Sequence, residues 1–254
     1  MNAEQAAEIV WSGIQQGLHF PEELQGQLNL HDALAAQLGV LTRRKAAGER
    51  HGGWKMGQTS FAIRERNGSD EQAFGHIMAH RIFSAGATIP LAEIGECGVE
   101  PELCFTMGAT LQGPGITVEQ VRAAVQGVSP GFELNQRRSG KGKGFYLSVA
   151  DNLSQWGIVV GRMVAPVPPD MDWDALRVEM RCNGELRATS VGREVIDDHY
   201  ESLAKLANLL GEHGVPLEAG HRIITGSFSK HDVSLGDTWE ATFEGIGTVG
   251  ANFA

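Results

Sequence analysis

Apolar residues recur at helical spacing at the start of the chain. Ala6, Ile9, Val10, Ile14 and Leu18 fall on one stripe, so a helix is expected over residues 3–17, ended by Pro21. A second helix is expected over 32–46. Asp32 is its expected N-cap, and Arg43, Arg44 and Lys45 lie near its end, where positive charge suits the dipole. From Gly53 the spacing changes to short alternating runs punctuated by glycine. Residues 53–57 read as a strand ending in a turn, 75–82 as mixed, and 99–107 and 131–135 as strands. Thr117 and Gln120 form a capping box before a helix that runs to Val125. The apolar run 156–164 fits a buried strand. Residues 176–182 and 186–191 alternate around Asn183-Gly184, a strong hairpin signal. Strands are also expected at 222–225, 238–243 and 249–253, with Gly245-Ile246-Gly247 turning between the last two. A helix over 198–211 places Leu203, Leu206, Ala207 and Leu210 on one face. Asp198 and Glu201 cap it, so Asp197-Asp198-His199 reads as helix-start chemistry and not as a catalytic triad. The order is helices first, then many strands with two interspersed helices. That is α+β with an extensive mixed sheet: a helical cap over 1–50 and one structural unit over 51–254.

Composition narrows the function classes. The chain has 254 residues, 42% hydrophobic and 20% charged, which suits a globular protein with a real core. Its net charge of −10 disfavours nucleic acid and anionic membranes as partners. No apolar run approaches the roughly 20 residues needed to span a bilayer. Met1-Asn2-Ala3-Glu4-Gln5 lacks the basic-then-apolar order of a signal peptide. Cys97, Cys104 and Cys182 are odd in number and lack CxxC spacing. They argue for a reducing cytoplasm and against a disulfide scaffold or zinc knuckle.

Two stretches carry candidate chemistry. In Val99-Glu100-Pro101-Glu102-Leu103-Cys104-Phe105, a strand would point Glu100 and Glu102 to one face and Pro101 to the other. Two carboxylates side by side repel unless a cation sits between them, so the pair reads as half of a hard-metal site. The alternative is a solvated acidic edge strand, with which Pro101 is compatible. Residues 137–144 form a basic, glycine-rich loop containing Lys141-Gly142-Lys143-Gly144 but no GxxxxGK[ST]. It is either a solvated mobile loop or a lid whose cations attract an anionic substrate.

Six blocks in order then carry a resemblance: Gly53-Trp54-Lys55-Met56-Gly57-Gln58-Thr59-Ser60, Val99-Glu100-Pro101-Glu102, Glu133, Ala150-Asp151-Asn152, Thr225-Gly226-Ser227-Phe228, and Gly247-Thr248-Val249-Gly250-Ala251-Asn252-Phe253. Together they resemble the 2-keto-4-pentenoate hydratase / 4-oxalocrotonate decarboxylase branch of the fumarylacetoacetate hydrolase superfamily. The resemblance implies a mixed β-sheet roll with flanking helices, often assembled into homo-oligomers. It implies Mg²⁺ or Mn²⁺ held by Glu100, Glu102 and Glu133, with Lys55 as the lysine of the G-x-K block.

On that resemblance the substrate is a small anionic 2-oxo- or 2-hydroxy-dienoate. Lys55 is a candidate for charge stabilisation or proton exchange, and Thr59, Ser60 and Ser227 for binding the substrate carboxylate. Hydration of a 2-hydroxy-2,4-dienoate in aromatic catabolism is the leading reading, and decarboxylation of a 2-oxo-dienedioate the runner-up. An acylpyruvate-type C–C hydrolase and a non-catalytic partner of a pathway enzyme are further alternatives. Where the branch usually carries acidic residues, residues 73–81 (Ala-Phe-Gly-His-Ile-Met-Ala-His-Arg) hold no Asp or Glu. His76 or His80 is therefore a candidate replacement for the missing acid or base. After Glu133, where the family often has Asp-Ser-Arg, this chain has Gln136-Arg137-Arg138.

Overall fold

A computed structural model describes residues 1–17, 22–67, 70–136 and 144–254. Leu18, Pro21 and most of the basic loop, 137–143, lie outside the described residues.

The N-terminal helices form for local reasons. Helix α1, Ala3–Gln15, has Asn2 as its N-cap, and Asn2 and Gln5 exchange side-chain-to-backbone bonds as a capping box. Helix α2, Leu30–Ala46, begins two residues before the expected start. Asn29, not Asp32, is the cap: its Oδ1 accepts from the Asp32 backbone N–H at 2.9 Å. Asp32 instead adds negative charge to the first turn, where the dipole favours it. Gln37 on α2 donates Nε2 to the carbonyls of Phe74 and Val149, at 2.5 and 3.2 Å, and so ties the helix pair to the body.

The chain continues through β1 (His51–Gly57), α3 (Phe61–Asn67), β2 (Ala73–Met78), β3 (Ile82–Ser84), β4 (Thr88–Ile89), α4 (Leu91–Ile94) and β5 (Cys97–Met107). It then forms α5 (Val118–Ala124), β6 (Val125–Gln136), α6 (Phe145–Ala150), β7 (Gln155–Val160), β8 (Arg177–Cys182), β9 (Glu185–Val191), α7 (Gly192–Val195) and α8 (His199–Glu212). The last strands are β10 (Arg222–Ser227), β11 (His231–Asp232), β12 (Thr238–Phe243) and β13 (Gly247–Phe253). Sequence spacing gave no sign of the short helices α3, α4, α6 and α7. The strand expected over 156–164 stops at Val160, and Gly161 follows where a Cβ would meet the Thr248 carbonyl at 2.6 Å.

One sheet runs β2-β1-β10-β5-β6-β7-β3, with β11 extending the pairing of β5. Its two edges, β2 and β3, are consecutive in the chain and joined by one tight turn over 79–81, and β2 packs beside β7. The sheet therefore bends round into a roll. Alternation along its strands gives an inner and an outer face. The outer face buries Trp54, Phe74, Phe105, Phe132 and Leu134 in the main core with α1, α2 and α8. The inner face carries a small aliphatic layer of Ile77, Cys104, Ile158, Val160 and Ile224. A second sheet, β4-β13-β12-β8-β9, contains the hairpin at Asn183-Gly184. Both turn residues are left-handed, φ 53° and 82°, as the sequence signal requires.

Strand β5 is central, between β10 and β6, and all eleven of its residues are buried. The edge-strand alternative for Pro101 is thereby overturned. Proline is tolerated because the ladder with β10 breaks there. Only the Pro101 carbonyl is used on that side, accepting from Phe228 N at 2.9 Å, between the Ser227–Glu102 and His231–Val99 pairs.

Closure of the roll requires backbone contact at Gly53, whose φ is +158°; a Cβ there would meet the Arg222 carbonyl at 1.9 Å. Gly53→Ala is expected to lower stability by at least about 2 kcal/mol in urea unfolding. Unchanged stability would show that β1 and β10 do not approach this closely.

Candidate active site

The β5–β6 register brings the carboxylates together. Glu100 lies directly opposite Glu133, and Glu102 is two residues further along the same face of β5. One carboxylate oxygen from each of the three falls within 4.8 Å of the others. The residues are 7%, 3% and 1% exposed, respectively, so water screens their repulsion poorly.

Each carboxylate has a partner that orients it. Asn135 Nδ2 donates to Glu100 Oε1 at 2.7 Å, and Lys230 Nζ donates to the same oxygen at 3.0 Å. The Gly226 backbone N–H donates to Glu102 Oε2 at 2.7 Å. Lys55 Nζ donates to Glu133 Oε1 and, at 3.2 Å, to the Leu153 carbonyl. Lys55 stands on the inner face because it pairs with Ile224, which in turn pairs with Cys104, two residues from Glu102.

These partners do not neutralise the cluster. Burial pushes the Glu102 carboxyl well above the ordinary range, and the charges of Glu133 and Glu100 push it further. Burial also raises the Glu133 carboxyl, although Lys55 opposes the shift. At Lys230, burial works against the ammonium, but Glu100, Glu133 and Glu102 outweigh it and raise the pKa. The Lys230 side chain is 65% exposed, so its ion pair adds little stability. Three hard oxygen donors with incompletely compensated charge match what a small divalent cation requires.

Thr59 and Ser60 are buried, and Thr59 lies against Gly226, whose N–H holds Glu102. Asp197 fixes their loop: Oδ1 accepts from Phe61 N at 2.9 Å, Oδ2 accepts from Arg64 at 3.0 Å, and its own N–H reaches the Thr59 carbonyl. Thr59 Oγ1 would be 2.2 Å from a Cβ on Gly226, whose φ is +130°, so glycine is required at the position that holds Glu102. The Ser227 hydroxyl donates to the Ser229 carbonyl at 2.7 Å and is occupied within its own turn.

The two histidines are not brought to the carboxylates. His76 pairs with Trp54, whereas its neighbour Gly75 pairs with Lys55, so the His76 ring points to the outer face. Burial drives its pKa well down, leaving a neutral ring. The His80 side chain is half exposed in the turn after β2, with Nδ1 at 3.7 Å from Glu49. Both line an outer cavity of about 770 Å³ that includes Arg44, Gln155 and Trp156 but none of the three glutamates.

Asp198 caps α8 through Tyr200 N and Glu201 N, as the sequence indicated. His199 binds Thr225 Oγ1 at 2.7 Å, and burial lowers its pKa to about 4. Sequence reasoning missed Asn135, Asn152, Asp197 and Lys230. Of these, Asn135 and Asn152 had a usable signal: Asn135 lies two residues after Glu133 on the same strand face, and Asn152 falls within the Ala150-Asp151-Asn152 block.

The family model for the fumarylacetoacetate (FAA) hydrolase C-terminal region matches residues 60–254. A 2-hydroxyhexa-2,4-dienoate hydratase of Comamonas testosteroni is 32% identical over 231 residues, covering 89% of this chain and 87% of that protein. A 4-oxalocrotonate decarboxylase of Pseudomonas sp. (strain CF600) is 33% identical over 224 residues, covering 87% and 84%. Among solved structures, the 4-oxalocrotonate decarboxylase from Pseudomonas putida G7, complexed with magnesium and adipate, aligns with a TM-score of 0.90. It is 28% identical, and the alignment covers 99% of this chain and 97% of that one.

The carboxylate cluster makes stability pH-dependent. Glu102 and Glu133 hold protons more tightly folded than unfolded, so their contribution is full below the ordinary carboxylate range and is lost as pH rises through the raised values. In chelator, the melting temperature is expected to fall as pH rises above the ordinary carboxylate range. Glu102→Gln is expected to flatten that fall and to raise the melting temperature at the alkaline end. Equal slopes in the two proteins would refute this electrostatic account.

Proposed function

The chain belongs to the fumarylacetoacetate hydrolase family, and from that membership we propose that it is a divalent-metal-dependent lyase hydrating a 2-hydroxy-2,4-dienoate to a 4-hydroxy-2-oxo acid in aromatic catabolism. The observation that carries the reading is the convergence of Glu100, Glu102 and Glu133 with the Lys55 ammonium on one inner face. The hydratase and decarboxylase relatives support it.

Glu100, Glu102 and Glu133 would hold Mg²⁺ or Mn²⁺ through carboxylate oxygens. A cation bound there would supply Lewis-acid polarisation of the C2 oxygen of a 2-oxo or 2-hydroxy acid. The protein's own groups account for the rest. An ammonium has three N–H bonds, and Lys55 commits two of them, to Glu133 and Leu153. The third is free to meet negative charge developing on the conjugated chain, or to pass a proton to its remote carbon. Water then adds at the position conjugated to the C2 carbonyl. Thr59 and Ser60 offer hydroxyls for the substrate carboxylate. The aliphatic layer of Ile77, Cys104, Ile158 and Ile224 excludes water on the inner face, which strengthens each charge interaction beside it. With no carboxylate in 73–81 and both histidines elsewhere, Lys55 is the buried proton-exchanging group beside the carboxylates among the described residues.

A second reading, decarboxylation of a 2-oxo-dienedioate, is supported by the 0.90 TM-score to the Pseudomonas putida G7 decarboxylase. Both reactions share a dienolate, so the carboxylates do not separate them; the groups at the far end of the substrate do.

Ultraviolet absorbance and CO₂ release, followed together with Mg²⁺, separate the two. With 2-hydroxypenta-2,4-dienoate, the expected result is loss of absorbance without CO₂. CO₂ from 2-oxohex-3-enedioate would replace hydration by decarboxylation, and silence on both substrates would reject both. Lys55→Ala is expected to lower kcat by about 10²- to 10⁴-fold. The rise in melting temperature on adding Mn²⁺ should survive in that variant, because its three glutamates remain.

A further inference from the structure

Between α6 and β7 the backbone does something that few non-glycine segments do. Asn152, Leu153 and Ser154 are all left-handed, with φ of 62°, 50° and 60°. Left-handed L-residues are disfavoured by contact of Cβ with the carbonyl, and they normally occur singly. Such strain persists only where the surroundings enforce it.

Here one carboxamide supplies the enforcement. Asn152 Oδ1 accepts from the His76 backbone N–H at 2.7 Å. Asn152 Nδ2 donates to the His76 carbonyl at 3.0 Å and to the Gln155 carbonyl at 3.2 Å. The side chain thus joins the turn to β2 and closes it on itself. Two glycines make room. A Cβ on Gly75 would lie 3.0 Å from the Asn152 carbonyl and 3.0 Å from Lys55 Cγ, and a Cβ on Gly57 would lie 3.0 Å from Leu153 Cδ1. The turn sits over bare backbone, against the stem of Lys55. Its one outward product is the Leu153 carbonyl, which accepts from Lys55 Nζ at 3.2 Å.

We propose that Asn152 is a positioning residue: its carboxamide holds this left-handed turn so that the Leu153 carbonyl, with Glu133, fixes where the Lys55 ammonium stands. The inference rests on the role given to Lys55 above. Among the described residues the Asn152 side chain bonds to backbone groups of His76 and Gln155 and to neither Lys55 Nζ nor a carboxylate, so it acts through the turn.

Three variants isolate the carboxamide. Asn152→Gly removes it while leaving a residue that adopts positive φ freely. Asn152→Asp keeps the acceptor for His76 N and loses both donors. Lys55→Ala serves as the reference. Turnover with Mg²⁺ is compared at equal folded fraction by circular dichroism. In metal-free protein, acetylation of Lys55 by acetic anhydride is read by peptide mass spectrometry against exposed Lys205.

The expected result for Asn152→Gly is a kcat lower by roughly 10- to 100-fold, with KM within about threefold. Its Lys55 acetylation should be several-fold faster relative to Lys205, and Asn152→Asp should fall between it and the wild type. Wild-type kcat and wild-type Lys55 acetylation in Asn152→Gly would overturn the proposal. Faster acetylation with unchanged kcat, while Lys55→Ala is inactive, would also overturn it, since the turn would then hold the lysine without setting its catalytic position. If Lys55→Ala keeps full turnover, the role of Lys55 fails first, and the catalytic consequence proposed for Asn152 fails with it.

Discussion

Three carboxylates share a small, dry volume inside a curled sheet, and most of the site follows from that constraint. Buried like charges cannot be left alone. The fold places a different donor on each: Asn135 and Lys230 on Glu100, the Gly226 backbone on Glu102, and Lys55 on Glu133. Two lysines offset two of three negative charges. Burial, with the charges of Glu133 and Glu100, keeps the Glu102 carboxyl raised, and the uncompensated charge makes the cluster a natural seat for a divalent cation.

Glycine is what allows the backbone to approach this cluster. Gly226 places its N–H on Glu102 at a position where Thr59 occupies the space a side chain would need. Gly53 lets β1 lie against β10, and Gly75 opposite Lys55 leaves room for the turn at 152–154. The aromatic packing stays on the outer face, where Trp54, Phe74 and Phe132 anchor the sheet to its helices. The two faces divide the labour: aromatic side chains pack the outer face, and the inner face carries the charged cluster beside its aliphatic layer.

The same division separates the two candidate proton-exchanging groups. His76 and Lys55 lie on adjacent strands, but opposite parity sends one to each face. The neutral, buried His76 helps pack the outer side, and its backbone anchors Asn152. Lys55 remains among the carboxylates. The inner-face geometry therefore places a lysine, and not a histidine, beside the carboxylates.

The sequence by itself determined the periodic elements and the local motifs. Glu100 and Glu102 share a face because a strand repeats every two residues. Thr117–Gln120 caps α5, Asp198 caps α8, and Asn183-Gly184 turns the hairpin because their side chains or torsions act within a few residues. Asn29 displaced Asp32 as the cap of α2, since both are competent caps and only the packed helix selects its first turn. Tertiary structure alone decided the strand register that sets Glu133 opposite Glu100, and the central place of Pro101. It also decided the separation of His76 from Lys55 and the arrival of Lys230 and Asn152 from distant segments. Those outcomes depend on the curl of a sheet between residues far apart in the chain. Local spacing specifies which way a side chain points, but not what it will meet.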